Sequence, residues 1–132
     1  MSTLRTNALE GVDAKNSITI VAGAGNITTT NVQEGLGKSW CNFDGTAGSV
    51  SFADSFNMSG LTDNATGDFT VAFANDMANA TYANAIASTF FNHVKDATGV
   101  VATGSIRFNT VTHDTSSSDR THTTYLNLGD LA

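Results

Sequence analysis

No proline occurs in the chain, so the breaks between its apolar segments fall to Gly-rich and Asn-rich stretches. The single cysteine, Cys41, excludes an intrachain disulfide framework. Set in the run WCNF, it reads as a small buried hydrophobe rather than a reactive thiol. Charge is scarce: Asp, Glu, Lys and Arg make up 14% of the residues, against a usual share of about 25%. The six cations, Arg5, Lys15, Lys38, Lys95, Arg107 and Arg120, are scattered and face twelve acidic residues, for a net charge of −6. Nucleic-acid binding needs a basic face that displaces counterions from phosphates, and this distribution argues against it. No window approaches the length of a membrane span, and the start MSTLRTNALEG has no apolar signal region. The expectation is a chain assembled in a cytoplasm with no membrane insertion.

What is present is neutral and polar. Thr (20), Asn (13), Ser (12) and Gly (12) account for 57 of 132 positions. The surface this predicts carries hydroxyls and amides in place of charges. Such side chains lose less rotamer entropy on packing than Lys or Glu, which suits close repetitive contact with neighbouring chains. Apolar residues reach 40%, enough for one modest core at this length.

The pattern divides at about residue 37. Residues 1–16 show weak alternation through Leu4, Leu9 and Val12, too sparse to close a core. A β-branched run (Ile18, Ile20, Val21) follows, ended by Gly23 and Gly25, and then a second β-like stretch, NITTT. Within TTNVQEGLGKSW one or two helical turns are expected, capped by Asn31 with Glu34 and stopped at Gly35 or Gly37. Residues 1–37 thus read as an attachment or oligomerisation arm and 38–132 as a β-domain. In the latter, strands are expected at 39–44, 48–54 and 55–60, with a break near Asp54–Ser55. LTDNATGDF supplies a turn, and Phe69, Val71 and Phe73 alternate strictly with polar or small residues. Further strands fit 81–89, where the alanines keep a helix open as an alternative, 105–113, and the closing THTTYLNLGDL. DTSSSDR between the last two is a polar turn or tip. Six or seven short strands at this spacing predict an all-β fold, a small antiparallel β-sandwich or barrel, behind an extended N-terminal arm.

Motifs of site chemistry are few. GAGNIT (23–28) lacks the third glycine and following helix of a phosphate loop and reads as a turn. TDNATGD (62–68) gathers Asp63, Asn64, Thr66 and Asp68 around Gly67, but its spacing is not that of an EF-hand and it reads as a hairpin turn. His113 and His122 flank the DTSSSDR tip with Asp114 and Asp119 and become cross-strand neighbours if the tip is a hairpin; their spacing does not predict zinc. No nucleophile elbow or evident carboxylate pair is present. The reading is no enzyme, no cofactor and no metal. Most aromatics are expected in the core; Trp40, Tyr125, His113 and His122 are the candidates for receptor or glycan contact.

The segment KSWCNFDGTAGSVSFADSFNMSGLTDNATGDFTVAFANDMANATYA (38–83) resembles one that recurs in tail-fibre and other virion proteins of tailed phages, often marine or cyanobacterial. The residues that carry the resemblance are Trp40, Asn42, Phe43 and Gly45, then Asp54 to Asn57, then Thr62 to Asp68. The start MSTLRTNAL with its later SITI strand looks like the N-terminal module of such fibres, and the likeness spans roughly residues 1–90. Cys41 departs from it, standing where the pattern carries an aliphatic residue. The resemblance implies a virion structural protein, a homotrimer that partners other virion proteins and acts by avidity through repeated weak contacts, including a host-surface glycan. The alternatives are a capsid decoration or head-fibre protein and, from another class, a carbohydrate-binding module.

Overall fold

The computed structural model describes residues 19–22, 28–31, 35–89 and 101–132. The chain divides into two compact units, Met1–Leu36 and Gly37–Ala132. In the first, β1 (Thr19–Ala22) pairs antiparallel with β2 (Thr28–Asn31), Thr19 opposite Asn31 and Ala22 opposite Thr28. Both β-like stretches expected in this region are therefore strands. Asn31 is the last residue of β2; Glu34 and the GAGNI loop lie outside the described residues.

The second unit is all-β and antiparallel. One sheet has the order β4 (Phe52–Phe56), β3 (Gly37–Phe43), β9 (Thr123–Leu128), β7 (Ala83–Ser88). The other has the order β5 (Met58–Ala65), β6 (Asp68–Phe73), β8 (Ser105–Asn109). Period-two alternation turns one face of each sheet inward, and the two faces pack as a sandwich. From β3 come Ser39, Cys41 and Phe43; from β6, Phe69, Val71 and Phe73; from β8, Ile106 and Phe108. Aromatic rings fill the centre. Phe43 meets Phe69 edge-on at 5.0 Å, and Tyr125 lies nearly parallel to Phe108 at 6.1 Å and to Phe73 at 6.2 Å. Rings in offset or edge contact add to the burial of their area, which makes this the principal source of cohesion.

Several strand limits differ from expectation for local reasons. The break expected at Asp54–Ser55 falls instead at Asn57, where the chain leaves the first sheet for the second. Asp54 sits comfortably within β4 because that strand is a sheet edge and its carboxylate faces water. Asn57 takes a left-handed conformation (φ 54°), which asparagine tolerates better than most residues. Residues 48–51 precede β4 without joining a strand. The expected turn over LTDNATGDF shrinks to Thr66–Gly67, because β5 runs on to Ala65. Gly67 has φ 67°, and a Cβ there would lie 2.4 Å from the Thr110 carbonyl oxygen, so only glycine fits. Residues 83–88 are strand, not helix. The strand expected over 105–113 ends at Asn109, since Thr110 turns away to bond Gly67 and Ser118.

Candidate functional site

The outward face of the four-stranded sheet follows directly from its inward one. Because Ser39, Cys41 and Phe43 point into the core, Trp40 and Asn42 between them must point out. On β9 the buried residues are Thr123, Tyr125 and Asn127, which sets Thr124, Leu126 and Leu128 on the outside. Strand pairing then aligns these groups in rows. Phe56 of β4 lies opposite Trp40, Trp40 opposite Leu126, and Leu126 opposite Ala85 of β7. One apolar stripe therefore crosses all four strands. Phe56 is 52% exposed and Leu126 38%, with Leu128, also 38% exposed, on the same face. Trp40 is partly exposed. Gly37 leaves room beside the stripe: a Cβ there would come within 3.0 Å of Leu126 Cδ1. The neighbouring row is polar, Asp54 opposite Asn42 and Asn42 opposite Thr124.

Of the residues singled out from sequence, Trp40 is thus on an accessible face. Tyr125 is not: it is fully buried between Phe73 and Phe108 and is unavailable to a receptor or glycan. Burial raises its phenol above the ordinary tyrosine range. The reason is register, since Tyr125 pairs with Cys41 and shares its inward face. His113 and His122 are both exposed but are not cross-strand neighbours. The tip folds back on itself through a Val111–Ser117 bridge, which keeps His113 within the tip, beside Asp114. His122 lies beyond it, near Asp44, and its carbonyl accepts from the Thr89 amide at 3.0 Å. Among the described residues no group of three or more His, Cys, Asp or Glu is placed to hold a metal ion. Cys41 is wholly buried, and loss of hydration pushes its thiol up to about 12.

At the hairpin tip one of the two TDNATGD carboxylates, Asp68, serves structure. Arg107 reaches across from β8 and donates to both Asp68 oxygens, at 2.8 and 2.5 Å, holding that carboxyl below its usual range. Asp119 accepts from the Gly67 amide at 2.6 Å.

Sequence reasoning set Phe56 among the aromatics expected mostly in the core, where its 52% exposure corrects it, and passed over Leu126 and the Asn42–Asp54 pair. The signal for Asn42 was available in WCNF, where Cys41 and Phe43 inward oblige Trp40 and Asn42 outward. For Leu126 there was none, because TTYLNL places apolar groups on both faces. Compared with protein-family models, with curated proteins and with solved structures, the chain matches none.

Proposed function

We propose that the chain is a structural component of a tailed-phage particle, a short tail-fibre or tail-associated protein that works as a homo-oligomer, most simply a trimer, and not as an enzyme. The observation that carries this reading is where the residues of the phage-like segment sit. Phe43 is in the aromatic core. Gly45 lies against it, where a Cβ would be 2.7 Å from Phe69 Cζ, and its amide donates to the Arg120 carbonyl at 2.8 Å. Asn57 forms the corner between the sheets, and Gly67 the β5–β6 turn. Of the residues that carry the resemblance, these four lie at core, corner and turn, where they would fix an architecture, while Trp40, Asn42 and Asp54 face outward; an architecture of this kind suits a passive particle component. The hydroxyl-rich and amide-rich composition supports repeated packing against neighbours in the same way.

Three measurements test the reading. Light scattering of the full-length protein should give the mass of three chains; a stable monomer at micromolar concentration would remove the self-assembly argument. Immunogold labelling of particles should then mark the tail. Label confined to the head would replace the tail-fibre reading with that of a capsid decoration protein. Reproducible polysaccharide turnover that is lost in Asp68→Asn would overturn the non-enzymatic part.

A further inference from the structure

We infer that the outer face of the four-stranded sheet is a binding platform for a neutral oligosaccharide, with Trp40 and Phe56 as its stacking floor and Asn42, Asp54 and Thr124 as its polar edge. A sugar ring has an apolar face of C–H groups and an equatorial rim of hydroxyls. A protein surface that complements it needs an aromatic plane with donors and acceptors about one ring-width to the side. The register supplies that arrangement. Trp40 and Phe56 are direct cross-strand partners, so two aromatic side chains stand together on one face. Asp54 and Asn42 are the next outward pair along the same two strands, displaced by two residues, or roughly 7 Å. Thr124 extends that polar row onto β9.

Size favours a glycan on this face over the other occupant, a second copy of the chain, and charge selects the kind of glycan. The apolar patch of Phe56, Trp40, Leu126 and Leu128 exposes on the order of 300 Å², a small apolar centre for a stable protein interface, which takes roughly 800 Å² from each partner. An area of that order is what one or two sugar rings cover. The polar row holds a single carboxylate, Asp54, beside two neutral groups, and the chain carries a net charge of −6. Such a face repels uronic or sulfated glycans and accepts uncharged ones. This inference does not rest on the particle reading: the site would serve an isolated module equally well.

The chain has one tryptophan, and it is Trp40, so intrinsic fluorescence of the full-length protein reports on the platform directly. The probes are cellohexaose, chitohexaose and mannohexaose, with a galacturonic acid hexamer as the acidic control. The expected result is a saturable change in emission with at least one neutral probe and none with the acid. Phe56→Ala and Asn42→Ala should each weaken that binding by about tenfold. Both side chains project from the sheet toward water, so unchanged thermal unfolding is expected for each variant and confirms that the loss is local. Four results would overturn the inference: no saturable change with any neutral probe, an equal response to the acid, binding unaltered in both variants, or a fall in oligomeric mass of Phe56→Ala without glycan binding. The last would assign the stripe to a second copy. A negative titration beside an intact trimer leaves the particle reading standing, which keeps the two failures distinguishable.

Discussion

Replacing Asn57 with alanine should loosen the corner at which the chain passes from one sheet to the other. The side chain bridges two backbone segments: Nδ2 donates to the Lys38 carbonyl at 3.0 Å and to the Asn75 carbonyl at 3.1 Å. Oδ1 accepts from the Asn75 amide at 2.7 Å and from Asn75 Nδ2 at 3.0 Å. A typical hydrogen bond contributes about 1 kcal/mol net, and these are partly exposed, so the set is worth on the order of 1–2 kcal/mol. Alanine must also adopt φ 54°, at roughly 1–2 kcal/mol. The total expected for Asn57→Ala is about 2–4 kcal/mol. Asn57→Gly loses the same hydrogen bonds but accepts the left-handed backbone without the steric term, so it should fall about 1 kcal/mol short of the alanine variant. Urea unfolding followed by circular dichroism measures both, provided the slopes match the parent. A loss under roughly 0.5 kcal/mol for alanine would refute the corner argument. Equal losses for the two variants would refute the backbone part of it.

Four further outcomes follow from the same structure. Gly67→Ala combines φ 67° with a Cβ 2.4 Å from Thr110 O and 2.5 Å from Ser118 N, so it should destabilise by roughly 2–4 kcal/mol in thermal or urea unfolding. Tyr125→Phe should change stability by no more than about 1 kcal/mol, because among the described residues the buried hydroxyl has only Asn127 and Tyr82 beside it and meets neither in good hydrogen-bond geometry; Tyr125→Ala should cost about 3–5 kcal/mol. Cys41, its thiol pushed up to about 12, should resist alkylation in the native protein and react on unfolding. Its contribution is complete below the unfolded value of about 8.5 and declines as pH rises above it. Asp68, held low by Arg107, works in the opposite sense: it stabilises above the ordinary carboxylate value of about 3.9 and the effect fades as pH falls through its depressed one. Melting temperatures of Asp68→Asn should therefore depend less on pH between neutrality and pH 3 than those of the parent.

The strand content, the antiparallel class and most turns are properties of the sequence by itself. Phe69, Val71 and Phe73 alternate with Thr70 and Ala72, and Ile106 with Phe108, so either run has one face to bury whatever lies opposite. Gly67 marks its hairpin because a left-handed residue between two such runs has few other candidates. Tertiary structure alone decided which side of an ambiguous strand is inside. TTYLNL has leucines on one face and a tyrosine on the other, and simple hydropathy would bury the leucines. Pairing with β3 sets Tyr125 beside Cys41 and Thr123 beside Phe43, so the leucines emerge on the outside and the tyrosine stacks within. The same pairing turns Trp40 outward, and that of β3 with β4 brings Phe56, sixteen residues further along, to its side. Periodicity says that a strand has two faces; only the register with its neighbours says which one meets the core, because that choice depends on side chains far away in the chain.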